Sequence, residues 1–265
     1  MPELIEAEAY AGAARRAIGA TIERASLHDP AWVRGGLSPS DLDDALTGRT
    51  IDSVERIGKV VRLNTDGASV ALRFGMTGRL LWDDAGPIDT LTYGPNRSEE
   101  AWVRFSLLLR SEDGAAHRLA VEDARRLGSV ELDADLAALG PDAADLTVEE
   151  LGAALAGSTT PLKAALLDQR RVAGLGNLLC DEILWRAGLH PATPAGSLDH
   201  GRLVTLRDAI AQTLEELGRR GGSHLGDLQP HRVPGGACPL DGTPLKRTRV
   251  GGRTSWWCPS HQVER

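Results

Sequence analysis

Residues 168–191 read DQRRVAGLGNLLCDEILWRAGLHP. Helical patterns flank VAGLG on both sides, so the stretch predicts a sharp turn at Gly174 and Gly176, with Asn177 opening a second helix. Free amides at a helix start behind a glycine turn can seat a phosphate, and Asn177 adds a side-chain donor. The same spacing serves a plain helix–turn–helix corner equally well. Helical periodicity continues outward on either side. It runs through LGPDAADLTVEELGAALAG (139–157) and TPLKAALLDQRR (160–171) before the turn, and DHGRLVTLRDAIAQTLEELGRR (199–220) after it. GGSHLGDLQPHRVPGGA (221–237) is a Gly/Pro-rich connector, and the tail from Cys238 onward reads as a hairpin.

The first half has a different period. TIERASL, TIDSVERI, VVRLNT, ASVALRF, RLLWDD, WVRFSLLL, HRLAVED and SVELD alternate like strands, and NTDGAS and SEDGAA carry the Asp-Gly signal of tight hairpins. SPSDLDDALTGR (38–49) predicts a short helix with Ser40 as N-cap and Gly48 near its end. The fold class expected is α+β: an N-terminal helix plus an antiparallel β-sandwich, then an all-α domain ending in a hairpin. The corresponding boundaries are residues 2–136, 137–228 and 229–265.

A chain of 265 residues, 42% hydrophobic, can bury a sizeable core in two domains. No stretch is apolar for long enough to span a bilayer, and the start lacks the basic and apolar regions of a signal peptide. A cytoplasmic location is expected. Cys180, Cys238 and Cys258 cannot close a disulfide framework; Cys180, inside a helix, reads as packing. The net charge of −7 opposes nucleic-acid binding on average. The average hides a basic tail, LKRTRVGGRTSWW, that contains no acid, and a locally basic face can still bind phosphates.

That tail carries Cys238 and Asp241 as C-x-x-D, then Cys258 and His261 as C-x-x-H, with the basic hairpin between the pairs. Two ligand pairs on two turns match a structural zinc site, which accepts thiolate, imidazole and carboxylate. A metal-free hairpin packed on Trp256 and Trp257 is the alternative. Lys59, in GKVVRL, can contact a phosphate at the mouth of a strand or be an ordinary surface charge. Met76, between Gly75 and Thr77-Gly78, can wedge into a base stack or fill the core. In the opening MPELIEAEAY, Pro2, Glu3 and Glu6 suit the first turn of a helix, where a missing N–H is harmless and acid favours the dipole.

Taken in order, these stretches resemble the formamidopyrimidine-DNA glycosylase / endonuclease VIII family of base-excision repair enzymes. MPELIEAEAY is similar to that family's M-P-E-L-P-E-V-E start, and RIGKVVRL to its lysine-bearing strand. FGMTGRL resembles its L-G-M-S-G-R-L loop, DARRLG its D-P-R-R-F-G, and DQRRVAGLGNLLCDEILWRAGLHP its helix–two-turn–helix signature. The tail resembles its zinc finger. The resemblance covers nearly the whole chain and implies a monomeric glycosylase with abasic-site lyase activity on damaged or abasic DNA. Loss of Met1 would free the Pro2 amine to attack C1′, Glu3 would move protons at the sugar, and Glu6 would order the site. Lys59, Asn177 and Arg253 would hold phosphates, while Met76, Arg125 and Leu127 would fill the gap left in the duplex. One structural zinc per chain would sit on Cys238, Asp241, Cys258 and His261.

The sequence also departs from the family's pattern. Leu127 stands where a Phe is usual, Arg73-Phe74 where His-Leu is common, and Ala124 where a proline is usual; Asp241 and His261 replace two cysteines. The connector from Gly221 to Cys238 lacks a clear G-x-F and V-Y-G-R stretch, which puts recognition of 8-oxoguanine in doubt. A non-catalytic binder of damaged DNA on the same scaffold is the rival reading. Retention of Pro2, Glu3 and Glu6 together favours the enzyme.

Overall fold

The computed structural model describes residues 2–263. Its contacts divide the chain into two compact units: Pro2 with Glu6–Leu136, and Glu3–Ile5 with the chain from Ala137 onward. Helix α1 (Leu4–Ala14) therefore starts with the residues of the second unit and continues in the first.

In the first unit, β1 (Thr21–Leu27), β5 (Arg79–Trp82), β6 (Val103–Arg110) and β7 (Ala116–Glu122) form one antiparallel sheet in the order β1-β6-β7-β5. β2 (Ile51–Ile57), β3 (Val60–Thr65), β4 (Val70–Arg73) and β8 (Ser129–Leu132) form the second, in the order β2-β3-β4-β8. Their inward side chains, among them Ile22, Leu63, Leu72, Phe105, Leu107 and Val121, make one core with Tyr10 and Ala14 of α1. This is the two-sheet packing that the strand-like runs predict, although β4, β5 and the end of β7 are buried on both faces instead of alternating. Helix α2 (Pro39–Leu46) begins two residues earlier than expected. Ser38, not Ser40, is the N-cap, in a reciprocal capping box with Asp41. Pro39 explains the shift, because its fixed φ and missing N–H fit the first helical position and leave the residue before it as cap.

The second unit holds α3 (Val148–Leu155), α4 (Leu162–Leu167), α5 (Asn177–Arg186), α6 (His200–Arg220) and the hairpin of β9 (Lys246–Val250) and β10 (Arg253–Trp257). Leu151, Leu166, Leu179, Ile183, Ile210 and Leu217 share a core with Leu4 and Ile5. Cys180 is fully buried there, as its helical position predicts. Helix α4 is shorter than TPLKAALLDQRR suggests. Gln169 ends it, donating to the carbonyls of Leu167 and Leu175 and accepting the Gly174 N–H, so the chain is stitched into a turn instead of a further helical turn. No helix among the described residues is long and apolar enough to cross a membrane.

Candidate active site

Pro2 lines a cavity of about 160 Å³ together with Lys59, Val60, Arg73, Phe74 and Gly75. Lys59 reaches it from the β2–β3 turn, and Arg73 from the end of β4. The Arg73 guanidinium lies 3.7 Å from Glu131, and burial, reinforced by Arg34, lowers its pKa from the ordinary arginine value. Two cationic side chains therefore flank Pro2, a setting that suits an anionic ligand. Glu6, next along the helix, is buried at 2% exposure. One turn on, Tyr10 is buried, and desolvation followed by the Glu6 charge pushes its phenol well above the usual range. Its hydroxyl donates to the Gly78 carbonyl at 3.1 Å, and its ring packs on Phe74 at 4.6 Å between centroids, bracing the loop that carries Met76.

Glu3 is fully buried, and its carboxylate caps the start of α5. Oε1 accepts the Leu178 N–H at 2.9 Å, while Oε2 accepts those of Gly176 and Leu179 at 3.0 Å each. This corrects the expectation of amides free to seat a phosphate at the VAGLG turn. The chain's own carboxylate takes them, because an anion at a helix N-terminus is stabilised by both the N–H groups and the dipole. A hydrogen bond to a charged group contributes about 1.5–3 kcal/mol, so three of them hold Glu3 firmly. Gly176 is required for this approach: a Cβ there would fall 2.3 Å from the Glu3 Cδ. The Leu4 N–H also donates to the Gly174 carbonyl at 3.0 Å. Asn177 opens α5 as expected, and its Oδ1 is buried without a partner among the described residues.

Met76 and Arg125 come together although 49 positions separate them, with Arg125 Nη1 3.6 Å from the Met76 sulfur. Leu127, two residues after Arg125, is 49% exposed, an unusual position for a large apolar side chain. Lys59, Met76, Arg125 and Leu127 belong to the first unit; Asn177, Arg253 and the four metal-ligand candidates belong to the second.

Arg253 begins β10, just after the Gly251-Gly252 turn, where both residues have positive φ (57° and 75°). Two positive φ values in a two-residue hairpin loop match the strand twist and favour glycine. A Cβ on Gly251 would sit 2.7 Å from the Ala164 Cβ, so the hairpin tip lies hard against α4. The hairpin is further tied by Lys163, fully buried, whose ammonium donates to Asp181 at 2.6 Å and to the Thr254 carbonyl at 2.8 Å. Arg232 completes the buried set at 2.8 Å from Asp181. Breaking such a buried ion pair costs far more than losing a surface pair, because a charge is left uncompensated.

Cys238, Asp241, Cys258 and His261 converge, with all ligand atoms within 4.8 Å of one another. Cys238 Sγ to His261 Nδ1 is 3.9 Å, Cys258 Sγ to Asp241 Oδ2 is 3.4 Å, and His261 Nδ1 to Asp241 Oδ2 is 3.5 Å. Metal–ligand bonds of about 2.0–2.3 Å give tetrahedral edges of roughly 3.3–3.8 Å, so the set fits one divalent ion. His261 Nε2 lies 3.2 Å from the Trp185 carbonyl, which fixes Nδ1 as the inward-facing nitrogen, and the Trp185 indole donates to Cys238 Sγ at 3.3 Å. The Thr243 N–H holds the Asp241 carboxyl well below the usual carboxylate range. Gln169, Lys163, Asp181, Trp185 and Asp123 (below) were not singled out from sequence. An Asp ahead of a basic turn, as in DARRLG, is the one local signal that marks any of them.

A helix-bearing β-sandwich followed by a helix–two-turn–helix unit with a metal-ligand hairpin is the architecture of one class of DNA-repair glycosylases. The model of the formamidopyrimidine-DNA glycosylase N-terminal domain matches residues 1–130, and that of the corresponding H2TH domain matches residues 138–227. The chain belongs to the formamidopyrimidine-DNA glycosylase family. It is 34% identical to the formamidopyrimidine-DNA glycosylase of Geotalea uraniireducens over 282 residues, covering 97% of this chain and 98% of that protein. It is likewise 34% identical to that of Erythrobacter litoralis over 289 residues, covering 99% and 100%. Among solved structures, the Lactococcus lactis Fpg in complex with abasic-site DNA superposes with a TM-score of 0.81 at 25% identity, covering 99% of this chain and 100% of that one. The same protein with Fapy-dG DNA gives 0.82 at 26% identity, with the same coverage.

Proposed function

We propose that this chain is a monomeric, bifunctional DNA glycosylase and abasic-site lyase, acting in the cytoplasm on damaged or abasic DNA. The observation that carries the reading is the cavity that Pro2 lines together with Lys59 and Arg73; Glu3, the next residue in the chain, is buried and tightly held. The family membership and the Lactococcus lactis complexes with abasic and Fapy-dG DNA support it.

With Met1 removed, the Pro2 nitrogen lone pair attacks C1′ as the bond from C1′ to the base breaks and the base leaves with a proton. The ring then opens as the proton on the attached nitrogen passes by way of Glu3 to the ring oxygen, the C1′–O bond breaks, and the nitrogen becomes an iminium at C1′. The iminium acidifies C2′; loss of that proton breaks the C3′–O bond, and a second elimination releases the 5′ phosphate. Glu6 orders the site about the amine. Lys59, Asn177 and Arg253 hold phosphates, which position without reading sequence. The target nucleotide leaves the stack first, and Met76, Arg125 and Leu127 fill the space it vacates. On this reading residues 2–136 perform the chemistry, 137–228 grip the DNA, and 229–265 present Arg253.

Zinc is the metal best suited to Cys238, Asp241, Cys258 and His261, a tetrahedral N/S/O set with no open position. Purified protein is expected to carry about one zinc per chain. Cys258→Ala should lose the metal and weaken DNA binding with it, since the hairpin that bears Arg253 folds around those ligands. Metal analysis beside a binding titration checks this. Metal-free protein that binds DNA at full strength would remove zinc from the account.

The reading as a whole is tested with oligonucleotides carrying an abasic site, 8-oxoguanine, formamidopyrimidine or an oxidised pyrimidine. Strand cleavage is expected at the abasic site and at one or more damaged bases, with 8-oxoguanine the poorest purine. Binding across the panel without cleavage would leave the non-catalytic binder.

A further inference from the structure

Asp123 follows β7 directly and is fully buried. Its Oδ1 accepts the Thr77 hydroxyl at 2.6 Å and the Arg125 N–H at 3.3 Å. Its Oδ2 accepts the Leu127 and Gly128 N–H groups at 2.7 Å each and the Trp32 indole at 3.1 Å. One carboxylate thus ties two loops: Thr77 adjoins Met76, and the three amides belong to the turn that carries Arg125 and Leu127. The loops also meet backbone to backbone. A Cβ on Gly75 would fall 2.5 Å from the Leu127 carbonyl carbon, and one on Gly128 would fall 2.3 Å from the Arg73 oxygen. Only an acceptor-only group with several lone pairs satisfies so many donors; an Asn offers a single acceptor oxygen.

We propose that Asp123 is a positioning residue that sets the register between Met76 on one loop and Arg125 and Leu127 on the other. It governs how well the protein fills an opened duplex, and does not touch the sugar. The inference rests on the gap-filling role given to those three side chains. An ordinary keystone of the fold would lower stability and leave the filled gap unchanged in whatever protein remains folded.

The test uses full-length protein saturating a duplex with an abasic site opposite 2-aminopurine, whose fluorescence reports whether the opposing base is stacked. Binding is followed separately by anisotropy, and thermal midpoints are recorded. Asp123→Asn and Thr77→Val are compared with the parent; Thr77→Val removes only one hydroxyl and decides the matter alone if Asp123→Asn does not fold. Both variants are expected to bind to saturation yet give a smaller fluorescence change. Single-turnover cleavage should fall on the order of tenfold, the size of one lost buried hydrogen bond. An unaltered fluorescence change at saturation in the folded variants overturns the proposal. Met76→Ala separates the two layers. If it too leaves the fluorescence change intact, the gap-filling reading falls and takes the role of Asp123 with it. If Met76→Ala diminishes the change and the other two do not, only the role of Asp123 falls.

Discussion

A chain that retains one residue ahead of Pro2 is expected to bind abasic DNA about as well as the processed chain and to cut none of it. The added peptide bond turns the Pro2 nitrogen into a tertiary amide, whose lone pair is delocalised and neither basic nor nucleophilic. An ordinary α-amino group titrates near about 7.7–8.0, so a free terminus has a substantial neutral fraction at physiological pH. The side chains proposed to hold phosphates, Lys59, Asn177 and Arg253, are untouched by the change, so binding should survive it. Borohydride trapping on abasic DNA should therefore be strong for processed protein and negligible for the blocked form, at equal occupancy measured by anisotropy. Trapping of the processed form alone is weak support, since any accessible lysine can form some Schiff base; Lys59 lines the same cavity. The paired comparison removes that ambiguity. Equal cleavage rates for the two forms would reduce Pro2 to the start of a helix.

What could be read from the residues, and what could not, divides by range. The sandwich was legible because strands record their own surroundings: β1 buries Ile22, Ala25 and Leu27 and exposes Glu23 and Arg24, its alternation broken only at a bulge, and Asp-Gly marks the turn between β6 and β7. The metal-ligand set was legible for the same local reason, since C-x-x-D and C-x-x-H each place two donors on one turn. The turn at VAGLG was legible as geometry but not as chemistry. Its amides are taken by Glu3, which lies 173 to 176 positions away, and no periodicity carries information over that distance. The Asp123 carboxylate and the buried Lys163–Asp181 pair were hidden similarly. A charged residue in an amphipathic run reads as solvent-facing, and only tertiary partners make its burial tolerable. Ser38 shows the opposite failure, a local error, where the weight of Pro39 at the first helical position was missed.

Glu3 offers the second large effect, and the structure makes it separable from a simple helix cap. Glu3→Gln leaves the Pro2 amine in place but removes the group proposed to move a proton at the sugar. Positioned acid–base groups are typically worth about 10²–10⁴-fold, so base excision should fall by that order, while trapping at a pre-formed abasic aldehyde persists in part. The substitution has a second consequence, because the amide nitrogen must face N–H groups that both carboxylate oxygens now satisfy. Gly176→Ala isolates this consequence with Glu3 intact. The φ of Gly176 is −126°, open to any residue, yet its Cβ would meet the Glu3 Cδ at 2.3 Å and Oε1 at 2.4 Å. The carboxylate must then swing off the helix start. Excision by Gly176→Ala is expected to fall by about tenfold or more, the weight of at least one hydrogen bond to a charged group. The loss should appear at base release and spare trapping, the same pattern as Glu3→Gln. Single-turnover rates on a damaged base and on abasic DNA distinguish the steps. Full excision by Glu3→Gln would leave Glu3 as a cap for α5 and nothing else. Full excision by Gly176→Ala alone would mean that the proton is moved by a carboxylate that does not need to be held where it lies.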